Sequence, residues 1–542
     1  MTGISGPGRC LAGVLLAAGA LCAACAWGAE EPGGQGSAPD VDPSLLAPAR
    51  TPLETGEAAP ALPATLDLET AQREALARNP SLLQVGEQVA QARARVKQAR
   101  SLYYPQLEAG YSGTYAWLSD ADVEAAQESL DSNDDLLEGL DEFIAEGNAD
   151  LPRRTLRDLR RAIRQNRADL GEARSELEET VESYTVELTA GYLLFDGFSR
   201  KYTAAMAKFG RREIEQAERE ARRLLLSAVA QSFYGVQLAR ENIEVARADI
   251  GFNRRLLKDA KALRARGKGS TSDVLNFEVR LRAAQTSLLV AVRDHEAARF
   301  ALALLMGLPG GLLPDTTRVK RLASETPEEM KTPAAEQALQ YALDHRPDLL
   351  QRSYGVRRAE AGVRQRYGAF YPRISLFASY GGSRNGDSTF REEDLSTAVG
   401  FNVSYEIFSG GRRRAELTEA RHAQREAEIH RRDLELEVLS EVRNALLDLS
   451  IAQQQLILQR ATAGHVEKNR GLVVKEYNAG KATLARLNQA QRDLVEAQVR
   501  LTLARITLRQ NRYELRTATA ETLADFHNGT RQPGKPEKRT RP

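Results

Sequence analysis

Two short passages decide how this chain folds: Arg264–Leu275, "RARGKGSTSDVL", and Tyr477–Gln489, "YNAGKATLARLNQ". In each, glycine interrupts a long, charged stretch with a helical period, small polar residues that favour helix starts follow, and the helical period resumes at once. Glycine permits the tight reversal. Both passages therefore read as tips of helical hairpins. Gly480 is the counterpart of Gly267, and that echo organises the rest of the chain.

The displacement from Gly267 to Gly480 also carries "FDG" at Phe195 onto "FSG" at Phe408. Earlier landmarks share a second, longer displacement: "ALARNPSLLQ" from Ala75 returns as "ALDHRPDLLQ" from Ala342, and "YYPQL" from Tyr103 as "FYPRI" from Phe370. The chain is one unit written twice, and the difference between the two displacements is an insertion in the first copy. The domain boundaries expected are 65–306 for the first repeat, 307–336 for a proline-studded bridge and 337–521 for the second repeat.

Within each unit the apolar period changes. A helix is expected from about Ser81 to Leu102, stopped by Pro105. Beyond it, Leu107, Ala109, Tyr111 and Tyr115 alternate, as do Tyr184, Val186, Leu188, Ala190, Tyr192 and Leu194. In the second unit Ile374, Leu376, Ala378 and Tyr380 form one strand and Val399, Phe401, Val403, Tyr405 and Ile407 another. Four strands of roughly ten residues have the length of a membrane β-barrel strand, although an ordinary soluble sheet shows the same alternation. Then the helical period runs without proline from Ser199 to Arg266 and from Arg412 to Ala479. The returning arms carry a heptad seam, Leu487, Ala490, Leu494, Ala497, Leu501, Ala504 and Leu508, matched in the first unit by Val274, Phe277, Leu281, Ala284, Leu288, Ala291 and His295. A returning arm plus the short helix before the first strand is about as long as the long helix, so two short helices stacked end to end can line one long one.

Composition agrees with long solvated helices: of 542 residues 42% are hydrophobic, 6% aromatic and 27% charged. Seventy-five basic and 74 acidic residues leave a net charge of +1, which gives no reason to expect a nucleic-acid partner. All three cysteines, Cys10, Cys22 and Cys25, fall within the early run "CLAGVLLAAGALCAACA". That run reads as a secretory signal peptide over 1–28, with cleavage after Ala26 or near Ala29, or lipidation at Cys25, as the alternatives. Residues 29–64 read as a Pro/Gly-rich linker and 522–542 as a disordered tail.

The ordered series of secretory start, doubled helix, "YPQL" turn, strand hairpin, "FDGFSR" or "FSGGRR" exit, long helix and glycine tip resembles the TolC-like outer membrane efflux protein family from about Leu66 to Glu521. The resemblance implies a mixed α+β membrane protein: a trimeric 12-stranded β-barrel, four strands per chain, continued by a coiled-coil α-helical barrel. It implies residence in the Gram-negative outer membrane, reaching into the periplasm. It also implies a passive conduit, as a homotrimer, in a tripartite efflux or type I secretion system, with a periplasmic adaptor (membrane fusion) protein and an inner-membrane transporter as partners and outer membrane lipid around the barrel. Drugs, metal ions and polypeptides all leave through such channels.

By position, the resemblance assigns adaptor docking to the tips, Gly267, Lys268 and Gly269 with Gly480, Lys481 and Ala482. It assigns a periplasmic gate to Asp273 and Tyr477. Arg486 and Gln489 stand where many relatives carry acids. Asp273 and Arg486 occupy equivalent places in the two repeats, and the expectation is that they pair across the mouth.

The insertion, 118–182, has 12 acidic residues and no Lys or Arg from Leu118 to Leu151, then eight arginines from Arg153 to Arg174. A self-pairing helical hairpin on the cell surface is expected. Neither a catalytic constellation nor a cofactor or metal site is expected: the six histidines are scattered, and "GKGS" lacks the spacing of a phosphate loop. A soluble periplasmic coiled-coil scaffold is the competing reading.

Overall fold

In the computed structural model the described residues are 62–117, 119–145, 152–175, 180–267 and 269–528. The expected signal peptide, 1–28, and most of the expected linker, 29–64, lie outside them.

A short strand β1 (Thr65–Leu66) leads into α1 (Leu68–Arg78), whose first turn is capped by the Asp67 carboxylate accepting from Thr70 N at 2.9 Å. Asn79 ends α1 and starts α2 (Pro80–Ser101), accepting from Ser81 N and Leu82 N, with proline at the first helical position where no N–H is needed. Strand β2 (Gln106–Trp117) follows, then the inserted helices α3 (Asp120–Ala145) and α4 (Arg153–Ser175), and strand β3 (Thr180–Phe195). The first long helix α5 (Ser199–Ala265) turns back as α6 (Thr271–Leu305). A bridge containing β4 (Arg318–Val319), parallel to β1, opens the second repeat: α7 (Ala335–His345), α8 (Pro347–Tyr367), β5 (Arg373–Asn385), β6 (Ser396–Ser404), α9 (Arg412–Asn478), α10 (Leu484–Ala518) and the short α11 (Thr522–Asn528).

The long helices α5 and α9 are each about 100 Å from end to end at the helical rise. The short helices lie along them in pairs. Helices α8 and α10 both pack on α5 and α9, and α2 and α6 both pack on α5. Most of the seam predicted from heptads is buried, Leu487, Ala490, Leu494, Ala497, Ala504 and Leu508 on α10 and Val274, Phe277, Leu281 and Ala284 on α6, while Leu501, Leu288, Ala291 and His295 are half-buried. The edges of this wall are different. Leu275, Val279, Val290 and Leu304 on α6, and Ile429, Leu436, Leu447, Leu458 and Leu472 on α9, all stay exposed at near-heptad steps, and nothing among the described residues covers them.

The four long strands form one antiparallel sheet in the order β2–β3–β5–β6, which leaves β2 and β6 as open edges. Register makes the two faces chemically distinct. Leu107, Ala190, Ala378 and Val399 stand in one cross-strand row and Ala109, Leu188, Tyr380 and Thr397 in another on the same face; between them, on the opposite face, runs Glu108, Thr189, Ser379 and Ala398. The apolar face is exposed, with Leu107 73%, Phe401 71% and Val399 77% accessible. Among the described residues no helix is long and apolar enough to cross a membrane.

Sheet and helices are joined by one device used twice. Arg200 donates to Leu102 O at 3.2 Å and Leu194 O at 3.0 Å and lies over the Tyr103 ring; Arg413 donates to Ala369 O at 3.1 Å and Ile407 O at 3.4 Å and lies over the Phe370 ring. Each guanidinium thereby ties a short helix, a strand end and a long helix together.

Two boundaries depart from the sequence reading. The last strand stops at Ser404, short of Tyr405 and Ile407, because Glu406 turns back to pair with Arg412 at 2.9 Å. The tail expected to be disordered from 522 begins as α11, held by buried Thr522 and by an ion pair between Asp525 and Arg516; residues after 528 lie outside the described part.

Candidate functional site: the hairpin tips and the mouth behind them

Gly267 and Gly480 both take φ +73°, and their N–H groups donate to Arg264 O and Tyr477 O at 2.9 Å. Nothing stands within 4 Å of where a Cβ would be, so the left-handed backbone alone calls for glycine there. Ser270 Oγ then accepts from Ser272 N at 3.1 Å and Thr483 Oγ1 from Arg486 N at 3.3 Å, starting α6 and α10. Gly269 is a different case: a Cβ would meet Arg264 N at 2.8 Å, while the equivalent Ala482 carries one. Lys481 is exposed and its N–H donates to Glu476 O at 2.8 Å. Lys268 lies outside the described residues.

Behind the tips one core joins both hairpins. Phe252 and Leu256 of α5, Val274 and Phe277 of α6, Val473 of α9 and Leu487 of α10 are buried together. Tyr477 packs against this core at its edge, and burial, followed by the nearby Asp273 charge, pushes its phenol above the ordinary value. Asp273 and Tyr477 are thus brought together. Arg486 and Gln489 are engaged on their own side: Arg486 Nη1 lies 3.2 Å from Glu476 Oε2, and Gln489 donates to Asp493 Oδ1 at 2.6 Å and accepts from Arg492.

Glu476 escaped the sequence reading, although opposite charges flanking a glycine tip are a usable signal. Above the mouth, Asp249, Asn253, Arg280, Asn488, Gln491 and Arg492 line a cleft of about 450 Å³ between α5, α6 and α10. Gln491 bridges it to Asp249 Oδ1 at 2.8 Å, and burial, with the charge of Arg492, lowers the Arg280 guanidinium from its ordinary value. Among the described residues no group of three or more His, Cys, Asp or Glu is arranged to hold a metal ion. The arrangement is a polar cleft between long helices.

Known proteins share this design. The profile of the outer membrane efflux protein family matches residues 164–308 and 338–521, one match in each repeat. The alkaline protease secretion protein AprF of Pseudomonas aeruginosa is 28% identical over 344 residues, 62% of this chain and 68% of that one. The outer membrane efflux protein BepC of Brucella suis is 25% identical over 344 residues, 63% and 73% of the two chains. In fold, the Campylobacter jejuni CmeC outer membrane channel superposes with a TM-score of 0.64 at 15% identity, over 84% of this chain and 88% of that one. A doubled sequence unit, an amphipathic four-stranded sheet, paired long helices and the match in both repeats lead to one assignment: the chain belongs to the outer membrane efflux protein family.

Proposed function

We propose that three copies of this chain close into one tube, a 12-stranded barrel in the outer membrane continued by a helical barrel in the periplasm, and that the tube is a passive exit for substrates handed over by an inner-membrane transporter and a periplasmic adaptor. One observation carries this reading: the sheet has an apolar and a polar face and two open edges, β2 and β6, and the helical wall below it has two exposed apolar edges. Lipid tolerates no unpaired strand edge, so the sheet must close on copies of itself. Two copies give eight strands, whose interior side chains fill; three give a lumen.

At the periplasmic end Gly267, Lys268, Gly269, Gly480, Lys481 and Ala482 take the adaptor, offering backbone and short side chains for close approach. The mouth is held shut by Asp273 and Tyr477 of one subunit meeting Arg486 of the next, with Gln489 beside it. Arg486 would then exchange Glu476 for, or share it with, Asp273. An exposed pair contributes only about 0–1 kcal/mol, but a threefold ring repeats it three times. In planar bilayers Asp273→Ala and Arg486→Ala should each raise single-channel conductance, and the charge exchange Asp273→Arg/Arg486→Asp should bring it back towards the wild-type level. Unchanged conductance in both single variants would dispose of the gate.

A further inference from the structure

The inserted hairpin α3–α4 carries a charged stripe on each helix, beside the seam along which the two helices pack. Along α4, Arg153, Arg157, Arg160, Arg164 and Arg167 recur at steps of four and three; along α3, Glu124, Glu128, Asp135, Glu138 and Glu142 share one face in the same way. Ile144 and Ile163 are buried in the seam. At 100° per residue each charged stripe lies about a third of a turn from the seam, so on an antiparallel pair both flank the same face and diverge to opposite edges.

Among the described residues only the inner end of the arginine stripe closes within the hairpin: Arg167 lies 3.4 Å from Asp134 and 3.9 Å from Asp141. Among the described residues Arg153, Arg160 and Arg164 meet no carboxylate, and Arg157 and Arg164 spend their Nε protons on backbone carbonyls of their own helix. On the other flank of α3, Leu136, Leu140 and Phe143 stay 63%, 37% and 55% exposed.

We infer that the hairpins of neighbouring subunits dock into a ring over the outer mouth, the arginine edge of each α4 against the acidic edge of the next α3. The occupant is a second copy because the two edges are complementary in charge and lie on opposite sides of one hairpin, the arrangement that a head-to-tail ring needs. The hairpin joins β2 to β3 at the ends remote from the helices, which puts it at the outer mouth. This rests on the trimeric reading above.

The reach of Arg167 across to Asp134 and Asp141 sets Arg160 and Arg164 at about the level of Glu138 and Glu142. The test is the full-length double variant Arg164→Cys/Glu142→Cys, oxidised in detergent and run denatured without reductant. Covalent dimers and trimers are expected. In bilayers at 0.1 M salt, Arg160→Glu/Arg164→Glu should raise conductance about twofold or more, adding Glu138→Arg/Glu142→Arg should reverse the rise, and 1 M salt should erase the difference by screening. Monomeric cysteine variants that still assemble into conducting trimers overturn the ring and leave the trimer standing; so does an arginine stripe whose reversal changes only binding to anionic lipid vesicles. Failure of wild-type protein to form a trimer or conduct overturns the reading on which the ring depends.

Discussion

At the first junction between sheet and helices Arg200 binds Leu102 O and Leu194 O; at the second Arg413 binds Ala369 O and Ile407 O, and every partner is displaced by one of the two repeat intervals. At the two tips the equivalent residues are Asp273 and Arg486, opposite in charge. At the outer end one repeat carries a helical hairpin between its strands and the other only the short connection 386–395. The duplicated fold is kept where it must turn a sheet into rods. It diverges at the two openings, where the conduit meets its surroundings.

Near-identity at the junctions hides an asymmetry that substitution should expose. Gly197 and Gly410 are equivalent and both left-handed, at φ +65° and +58°. A Cβ on Gly197 would stand 2.3 Å from Gly368 O and 2.8 Å from Tyr371 Cβ, whereas nothing lies within 4 Å of one on Gly410. Gly197→Ala should therefore cost about 3 kcal/mol or more, through a backbone clash added to strain, and Gly410→Ala about 1 kcal/mol, for strain alone. Thermal unfolding in detergent reads both, and equal losses would show that the junctions are alike after all.

A second pair of equivalent residues separates by pH. Asn79 and Arg346 each clamp the end of the returning helix of their own repeat: Asn79 Nδ2 donates to Leu305 O at 2.9 Å and Arg346 Nη1 to Ala518 O at 3.0 Å. Arg346 is buried and also holds Asp348 at 2.7 Å and Glu441 at 2.6 Å. Burial works to raise the Asp348 carboxyl, but the hydrogen bonds and charge of Arg346 outweigh it and hold the group below its ordinary 3.8. A depressed carboxyl stabilises the fold above its unfolded value and loses that contribution as pH falls from about 3.8 through the lower folded value. Asp348→Asn should cost about 2 kcal/mol at neutral pH, the range of a charged hydrogen bond, and flatten the acid limb of the stability curve. Asn79→Ala should leave that limb unchanged, since an amide does not titrate; an altered acid limb in Asn79→Ala would contradict the assignment.

The smallest effect concerns the ends of the returning helices. Gly307 at φ +66° and Ala520 at φ +65° are equivalent. The second repeat thus places a Cβ in a left-handed cap that costs about 1 kcal/mol for an L-residue, partly offset by the lower chain entropy of alanine. Ala520→Gly should raise the unfolding temperature slightly, by about 0.5 kcal/mol at most in stability. A fall would mean that the Ala520 methyl, 3% exposed, packs for more than its strain.

Much of this architecture was legible because it is written in side-chain periods. The heptads of Leu487–Leu508, the alternation of Leu107–Tyr115 and the glycine tips each leave a pattern. The junction arginines Arg200 and Arg413 close the repeated "FDGFSR" and "FSGGRR" exits, but what they bind left no pattern, because their partners are main-chain carbonyls, which look alike in every sequence. The same holds for the bridge between the repeats, where Arg509 donates to Ala323 O at 2.8 Å and Arg512 to Glu328 O at 2.6 Å. At the mouth, Asp273, Tyr477 and Arg486 were singled out by position alone, whereas Asp273 beside Tyr477 and Glu476 as the holder of Arg486 depend on how the tip folds back. The stop at Ser404 and the helix at Thr522–Asn528 were set by ion pairs with residues beyond the local pattern.

Native mass spectrometry of the mature protein released from outer-membrane detergent extracts tests the central claim most directly. Three chains per particle are expected, with dissociation to a form that no longer stays in solution once detergent is withdrawn. A single chain that remains soluble without detergent would contradict it, since the apolar face and open edges of β2 and β6 would then have no lipid and no neighbour to account for them.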